Sequence, residues 1–283
     1  MTTEKHDAAA MPKIERGAGH MPVLGVGTFQ LKGETCQQAV KTALSLGYRH
    51  VDTARMYENE SQVADGIRAS GVPREEIFLT TKLQLGKLDP DGVRQSCENS
   101  LRELNTPYVD LLLIHWPDGA VPLEDTLGAM ATLKKEGKIR DLGVSNFTTT
   151  WLQKALAATD EPIFCNQIEY HPYIRQGPPM QICRENGIAV VAYSPLARGR
   201  VAKDQQLQEI GKKHNKTAVQ VALRWIVRQQ GVAAIPKGSS TEHLRENLDI
   251  FDFELDEEDI AAIGSGKHDT RLINPDFAPL WDT

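Results

Sequence analysis

Residues 48–57 read YRHVDTARMY, and this stretch decides both the fold and the site that the sequence predicts. An apolar-leaning run leads to Asp52, and Tyr57 follows five residues later. Two other predicted strands also lead to a polar residue: Lys82 ends one and His115 ends another. Asp, Lys and His at successive strand ends, with a tyrosine beside the first, indicate one site assembled from several strand–helix units.

Length, composition and charge limit the class of protein. The chain has 283 residues, of which 40% are hydrophobic and 25% charged, as in an ordinary globular protein. This length suits two small domains or one α/β barrel. The net charge of -6 argues against general nucleic-acid binding. Residues 1–12 lack the apolar core of a signal peptide, and no apolar run approaches membrane-spanning length. We therefore expect a cytoplasmic protein with neither nucleic-acid nor membrane partners.

The cysteines and the charged residues predict no metal site. None of the four cysteines forms a CxxC pair, so buried thiols in a reducing compartment are the simpler interpretation. At the strand-end site, Lys82 would repel a cation, and the additional carboxylate ligands that such an ion needs are missing.

Alternating helix and strand patterns predict the architecture. Glycines between short apolar stretches at 13–15 and 23–25 predict an N-terminal β-hairpin. Strands are predicted at 23–28, 48–52, 77–82, 109–115, 141–144, 163–168, 188–193 and 232–235. Helices are predicted at 35–46, 59–70, 89–104, 123–135, 148–158, 177–185, 205–213, 218–229, 241–248 and 257–263.

Eight such units form either an open doubly wound sheet or a closed barrel. An open sheet that binds a dinucleotide carries GxGxxG at its first strand-to-helix turn, but residues 25–30 read GVGTFQ, with Gln30 in the third glycine position. The sequence therefore predicts a (β/α)8 TIM barrel, with an N-terminal β-hairpin and a C-terminal tail over the active-site face. Residues 1–11 are expected to be a flexible tail, and 12–283 a single barrel domain. The active site of a barrel lies at the C-terminal ends of its strands.

The strand-end residues suit proton delivery to a carbonyl oxygen. A free tyrosine has a pKa near 10 and is a poor acid at neutral pH. A nearby ammonium lowers that pKa, and Lys82 is placed to do so if Asp52 holds it by a charge pair. His115 is expected to bond the substrate oxygen or to tune Tyr57. Taken singly, each residue is more typical of a cap, a core position or a solvated surface. Their joint occurrence at three strand ends favours the site.

Two further segments predict binding of a flat ring and of a phosphate. Residues 143–147 read GVSNF, a strand end with two hydrogen-bonding side chains, for which a helix cap is the alternative. Phe147 excludes a GxSxG nucleophile elbow. Tyr193 ends the seventh predicted strand, where its ring can stack on a flat ligand. Residues 237–240 read KGSS before a helix, a good phosphate site, with a capped helix and a solvated lysine as the alternative.

These motifs make the chain resemble the aldo-keto reductase superfamily from about Lys13 to the C-terminus. The motifs that carry the resemblance are GYRHVDTA at 47–54, YENE at 57–60, TK at 81–82, LIHWP at 113–117, GVSNF at 143–147, NQIE at 166–169 and IPK at 235–237. The ending, with RLINP at 271–275 and APLWD at 278–282, looks like the bacterial 2,5-diketo-D-gluconate reductase B and methylglyoxal reductase branch. The family is an (α/β)8 barrel that reduces carbonyls with NADPH. The resemblance implies Tyr57 as proton donor, with Asp52, Lys82 and His115 as its partners.

The resemblance also implies which residues bind the cofactor and the substrate. The implied cofactor contacts are Gly27, Thr28, Asp52, Ser145, Asn146, Gln167, Tyr193, Ser194, Pro195, Leu196, Lys237, Gly238, Ser239, His243, Glu246 and Asn247. The expected substrate contacts are Phe29, Met56, Tyr57, Gln84, His115, Trp116 and Trp281.

Two departures from the family pattern bear on specificity. His243 stands where the family usually has an arginine against the adenine and the 2′-phosphate, and histidine lacks the fixed fork of arginine. We therefore expect NADPH to remain preferred through Lys237 and NADH to be accepted too, with discrimination below about 10³-fold, or roughly 4 kcal/mol. Gln84 stands where the family often has tryptophan, which predicts a wider or more polar pocket.

The expected function is therefore NAD(P)H-dependent reduction of small aldehydes and ketones, such as methylglyoxal or keto-sugar acids including 2,5-diketo-D-gluconate. The expected partner is this small carbonyl substrate, and the expected state is a monomer. A nucleotide-sensing regulatory subunit on the same fold, similar to the potassium-channel β-subunits, is the alternative. An open-sheet hydrolase is disfavoured because the nucleophile elbow is missing.

Overall fold

The computed structural model describes residues 11–16, 19–266 and 268–282. The predicted flexible tail lies, apart from its last residue, outside the described residues and stays a prediction. That last residue, Met11, is buried and packs in the hydrophobic core. The predicted monomer and the predicted cytoplasmic location also stay predictions. Within the described residues, no helix is long and apolar enough to cross a membrane.

A hairpin precedes the barrel, as predicted, but its second strand spans 19–22 and not the predicted 23–25, because residues 23–25 bond the last barrel strand instead. Strands β1 (Lys13–Arg16) and β2 (Gly19–Pro22) pair antiparallel, with Ile14 opposite Met21. Gly19 packs so closely against the barrel that a Cβ there would lie 2.6 Å from the ring of Phe164. Phe164 belongs to the first residues of a barrel strand, so the hairpin covers the N-terminal end of the barrel and leaves the other end open.

Eight parallel strands form the barrel in chain order. They are β3 (Val26–Gly27), β4 (His50–Asp52), β5 (Phe78–Lys82), β6 (Val109–Ile114), β7 (Ile139–Ser145), β8 (Ile163–Glu169), β9 (Ala189–Tyr193) and β10 (Val232–Ala234). The first and last strands meet through a parallel bridge between Leu24 and Ala234. The Gly25 N–H donates to the Ala234 carbonyl at 2.9 Å, and the Ala234 N–H donates to the Val23 carbonyl at 2.8 Å. These bonds close the barrel and confirm the predicted fold.

Ten α-helices surround or follow the strands within the described residues. They are α1 (Gly33–Leu46), α2 (Glu60–Ser70), α3 (Pro90–Glu103), α4 (Leu123–Lys135), α5 (Thr149–Ala158), α6 (Gly177–Glu185), α7 (Gln205–His214), α8 (Ala218–Val227), α9 (Thr241–Leu248) and α10 (Glu257–Gly264). The predicted helices agree with these bounds to within two residues. The strand predicted at 141–144 extends to Ile139, because pairing with β6 continues past the exposed Arg140, where the apolar pattern stops.

The strands are buried on both faces, as expected for a parallel sheet between an interior and a layer of helices. Every residue of β5 and of β8 is buried, although both strands carry polar side chains near their ends. Burying polar groups is costly unless they are bonded to one another. Packing of the apolar core therefore does not account for the buried polar side chains at the strand ends, and their position indicates where a functional site lies.

Candidate active site

A cavity of about 910 Å³ opens at the C-terminal ends of the barrel strands. Its wall comes from the loops after β3, β4, β6, β9 and β10, from the ends of β7 and β8, and from the C-terminal tail. The position agrees with the general rule for barrels of this kind. Asp52, Tyr57 and His115 line it, and Lys82 lies directly behind Tyr57.

Lys82 is the centre of the polar group. Its Nζ lies 2.6 Å from Asp52 Oδ1, donates to the Thr53 carbonyl at 2.8 Å, and lies 3.4 Å from the Tyr57 hydroxyl. The second oxygen of Asp52 accepts from Gln167 Nε2 at 2.6 Å. Asp52 and Lys82 are both fully buried. Their contacts satisfy the two charges, so the pair fixes the ammonium beside the tyrosine hydroxyl.

Burial and charge act in opposite directions on these groups. Burial lowers the pKa of Lys82, but Asp52 and Tyr57 outweigh it, so the lysine pKa lies above its ordinary value. Burial raises the pKa of Tyr57, and Lys82 opposes that rise without cancelling it. The sequence predicted the lowering effect of the ammonium but not the larger effect of burial. Tyr57 is therefore a protonated phenol at neutral pH, held beside a positive charge.

His115 faces Tyr57 across the cavity. The two rings meet edge to face, with centroids 5.7 Å apart. Burial, followed by the charge of Lys82, lowers the pKa of His115 well below its ordinary value. Its Nδ1 atom is buried and has no hydrogen-bond partner among the described residues. A neutral imidazole next to a protonated phenol provides two groups that can donate a hydrogen bond to one oxygen in the cavity.

A short, tightly bonded turn positions Tyr57. Residues Arg55–Tyr57 form one turn of 3-10 helix, which ends at Glu58 in the left-handed region with a φ of 52°. Asn59 is fully buried, and its amide donates to the carbonyls of Thr28 and Leu31, both at 2.9 Å. The spacing YxN in the motif thus ties the tyrosine turn to the loop after β3.

Four polar residues surround the space opposite Tyr57. Gln167 is fixed by Asp52, and Ser145 donates to the Gln167 carbonyl at 2.9 Å. Asn146 donates to the His115 carbonyl at 3.0 Å and accepts from the Tyr193 hydroxyl at 2.7 Å. Asn146 has a φ of 62°, which asparagine tolerates better than most residues. The predicted ring-binding residues are thus brought together on one side of the cavity.

The predicted phosphate end is only partly on the cavity wall. Ser194, Pro195, Leu196 and Lys237 line it, and Lys237 Nζ lies 3.3 Å from Gln30 Oε1. Gly27 lines it as well. The predicted residues that do not line it are Thr28, Gly238, Ser239, His243, Glu246 and Asn247. The backbone N–H of His243 is capped by Ser240 at 3.1 Å, so the helix-cap interpretation also holds for this segment.

Only some of the substrate contacts predicted from the sequence line the cavity. Phe29, Met56 and Trp116 line the cavity. Trp281 does not line the cavity but packs against Trp116, with ring centroids 6.0 Å apart. Gln84 is exposed and does not line the cavity, so its predicted effect on the pocket stays a prediction.

Some lining residues were not predicted. Arg198 follows β9 in the left-handed region, with a φ of 52°, and no hydrogen bond or ion pair engages its guanidinium among the described residues. The tail supplies five more: Leu272, Ile273, Asn274, Pro275 and Phe277. No periodicity identifies such loop residues from sequence. The only available signal was the run of large apolar groups in a tail rich in proline.

The described residues contain no cluster of three His, Cys, Asp or Glu side chains that is able to hold a metal ion. The four cysteines are buried, and burial raises the pKa of Cys36 to about 11 and that of Cys97 to about 12.

Comparison with known proteins agrees with this geometry. The aldo/keto reductase family model matches residues 23–266, so the chain belongs to this family and is an oxidoreductase of its kind. Methylglyoxal reductase DkgB of Salmonella typhi is 42% identical over 266 residues, covering 93% of this chain and 99% of the relative. Glyoxal reductase of Bacillus subtilis (strain 168) is 41% identical over 266 residues, covering 93% and 95%. A crystal structure assigned as a 2,5-diketo-D-gluconic acid reductase B aligns with a TM-score of 0.94 at 42% identity, covering 98% and 99%. The predicted family and branch are confirmed.

Proposed function

We propose that the protein reduces small aldehydes and ketones to alcohols with NADPH, and that Tyr57 donates the proton. The observation that carries the proposal is the Tyr57 hydroxyl, 3.4 Å from a lysine ammonium that a buried carboxylate holds in place. The names of the relatives support the class of substrate: a methylglyoxal reductase, a glyoxal reductase and a diketogluconic acid reductase.

The lining residues fit a nicotinamide dinucleotide. Ser145, Asn146 and Gln167 offer polar groups of the kind that a carboxamide needs, and Tyr193 offers an aromatic ring beside them. Two cationic side chains, Arg198 and Lys237, also line the cavity and suit phosphate groups. When bound, the reduced cofactor supplies the hydride. Lys237 favours NADPH over NADH, and His243, which stands in place of an arginine, keeps this preference modest.

The residues of the chain act on the substrate oxygen. Tyr57 and His115 both donate hydrogen bonds to it, which orients the carbonyl and polarises it. As negative charge develops on that oxygen, the Lys82 ammonium stabilises the phenol as it gives up its proton. Asp52 keeps Lys82 charged and in position and does not itself take the proton. The apolar side chains of Phe29 and Trp116 exclude water from the same space.

The test is a Tyr57→Phe variant assayed by NADPH absorbance with methylglyoxal, 2,5-diketo-D-gluconate and nitrobenzaldehyde. We expect turnover to fall by about 10³-fold or more, because the general acid is lost, while cofactor affinity stays near that of the unaltered protein. Tyr108→Phe is the matched control, since Tyr108 lies between Arg74 and Arg140 outside the cavity. Retained turnover in Tyr57→Phe would count against the mechanism. A single burst of cofactor oxidation without turnover in the unaltered protein would favour the regulatory alternative.

A further inference from the structure

Glu169, the last residue of β8, is a fully buried carboxylate that the chemistry above does not use. Side chains alternate along a strand, so Glu169 points to the same side as Gln167, two residues earlier, whose amide bonds Asp52. A buried carboxylate is costly unless hydrogen bonds or a cation compensate for its desolvation. Its side-chain hydrogen-bond partner among the described residues is His171, whose Nε2 lies 2.9 Å from Glu169 Oε1, and the positive charge of Arg271 also interacts with it. Something else has to satisfy the second oxygen.

The C-terminal tail, residues 268–282, satisfies it. The backbone N–H of Leu272 donates to Glu169 Oε1 at 2.7 Å, and that of Ile273 donates to Oε2 at 2.9 Å. The bonded residues are 103 and 104 positions apart in sequence, so they are tertiary contacts. Hydrogen bonds to an ionised acceptor are shorter and stronger than neutral ones. One buried carboxylate thus fixes two consecutive peptide groups of the tail.

Other contacts hold the two ends of the tail. Near its start, the Thr270 N–H donates to the Tyr173 carbonyl at 3.0 Å, and the Tyr173 N–H donates to His171 Nδ1 at 3.2 Å. At its far end, Asp282 Oδ2 accepts from the Thr149 N–H at 2.9 Å. The tail therefore crosses the mouth of the barrel as a strap, with Glu169 below it near the first end.

The stretch of tail that Glu169 fixes is also a wall of the cavity. Leu272 and Ile273 line the cavity next to the two bonded N–H groups, and Phe277 lines it further on. The Phe277 ring packs edge to face on Trp116, with centroids 5.4 Å apart. Glu169 itself does not line the cavity. Its carboxylate therefore acts on a ligand only through the backbone that it holds.

We propose that Glu169 is the positioning residue of the substrate pocket, and that its two tail hydrogen bonds set the distance between the tail wall and Tyr57. This inference rests on the proposed carbonyl reduction. A substrate large enough to touch both the tail and Tyr57 depends on that distance. A three-carbon carbonyl held by Tyr57 and His115 does not reach the tail and is indifferent to it. Glu169 thus selects by substrate size without touching the substrate.

Glu169→Gln tests the proposal with little change in volume. The introduced amide has one acceptor oxygen for two N–H donors, and its own N–H₂ group opposes one of them. We expect KM for nitrobenzaldehyde to rise by about tenfold or more, since a misplacement far from the chemistry is enough to weaken binding. For methylglyoxal we expect kcat and KM to stay within about threefold of the values of the unaltered protein, because this small substrate does not contact the tail. The affinity for NADPH, measured by fluorescence quenching, stays unchanged.

Trypsin offers a readout that does not depend on activity. The Arg271–Leu272 peptide bond contains one of the two N–H groups bonded to Glu169, and the Arg271 guanidinium stacks 3.6 Å from the Trp281 ring. Cleavage there requires the strap to open locally. We expect Glu169→Gln to speed this cleavage by about tenfold, and Glu185→Gln, an exposed glutamate of α6, to leave it unchanged.

A second variant covers the case in which Glu169→Gln does not fold. Ile273→Pro removes the N–H that bonds Oε2 but also alters a side chain that lines the cavity. Ile273→Ala alters the side chain and keeps the N–H, so KM for nitrobenzaldehyde should rise clearly more in Ile273→Pro than in Ile273→Ala. An unchanged KM for nitrobenzaldehyde overturns the proposal, whatever the cleavage rate. So does an equal rise in KM for methylglyoxal, which would mean a general structural effect. If the unaltered protein reduces neither aldehyde, the proposed function fails, and faster tryptic cleavage still tests the bond to the tail.

Discussion

Breaking the Lys82–Asp52 pair by Asp52→Asn should destabilise the protein far more than the loss of a surface pair. Coulomb's law with an effective dielectric constant of about 20 gives a gross attraction of about 6 kcal/mol across the 2.6 Å that separates the two charges. Removing one partner of a buried pair typically costs about 3–5 kcal/mol, because the other charge remains buried without compensation. The Lys82 pKa is raised in the folded protein, so this contribution is fully present at pH 7 and is lost as pH rises through the folded pKa.

The double variant Asp52→Asn, Lys82→Met distinguishes an uncompensated charge from a simple loss of contacts. Removing the ammonium as well removes its desolvation cost, and apolar groups of similar volume often replace a buried pair without net loss. We therefore expect the double variant to be more stable than Asp52→Asn alone by about 2 kcal/mol or more. All of these variants should lack turnover, so an activity assay cannot distinguish an uncompensated charge from a loss of contacts. The free energy of unfolding can.

The assay is urea unfolding at pH 7, followed by tryptophan fluorescence and linear extrapolation. Glu58→Gln is the matched control, since Glu58 forms a solvent-exposed pair with Lys32 at 3.5 Å next to the same loop. An exposed pair contributes less than about 1 kcal/mol. The reasoning is refuted if Asp52→Asn costs no more than Glu58→Gln, or if adding Lys82→Met makes the protein less stable still.

Two further predictions concern the cofactor and pH. Lys237→Ala should weaken NADPH binding by about tenfold more than NADH binding, because we expect Lys237 to bind the 2′-phosphate that NADH lacks. Arg198→Ala should weaken the binding of both cofactors alike, because we expect Arg198 to bind the diphosphate that both share. Fluorescence titration tests this with Lys203→Ala as control, and equal effects of the two variants would contradict it. Burial lowers the pKa of His50 to about 4 and that of His115 well below its usual range, so only the unfolded chain takes up these protons near pH 6.5. The free energy of unfolding should therefore fall as pH drops through this range, by about 2 kcal/mol between pH 7 and 4.5 for His50 alone. Urea unfolding at these two pH values measures the fall, and equal stability at both would argue against it.

The barrel and its polar group were predictable because both follow from one local rule. Apolar runs such as 109–114 end at a polar residue, and parallel strands bring such ends to one edge. Asp52, Lys82 and His115 were therefore expected to converge. Lys82 bonds Asp52 directly, and His115 lines the same cavity as Asp52. The alternation of helices and strands was equally local. Only the strand at Ile139 began earlier than its pattern, because sheet pairing carried it past a charged residue.

The rest of the site was not predictable, because it depends on contacts distant in sequence. The NQIE motif directed attention to Gln167, and nothing local indicates that Glu169 bonds residues 103 positions away. Arg198 reaches the cavity from a left-handed turn that no propensity identifies. The pKa of Tyr57 was expected to respond to Lys82, but its rise reflects the amount of surrounding protein, which only the packed structure reveals.

Asp52 and Glu169, two buried carboxylates near the mouth of the barrel, position different parts of the site. One oxygen of Asp52 accepts from Lys82 and the other from Gln167, so Asp52 fixes the positions of these two side chains. Glu169 directs both oxygens to the tail, and so fixes the wall that faces those groups. Gln167 and Glu169 belong to one rigid strand, so the distance between wall and chemistry is set by a spacing of two residues in β8. Changes in the tail sequence can then alter the wall's side chains while its backbone stays bonded, which leaves the substrate range free to vary around constant chemistry.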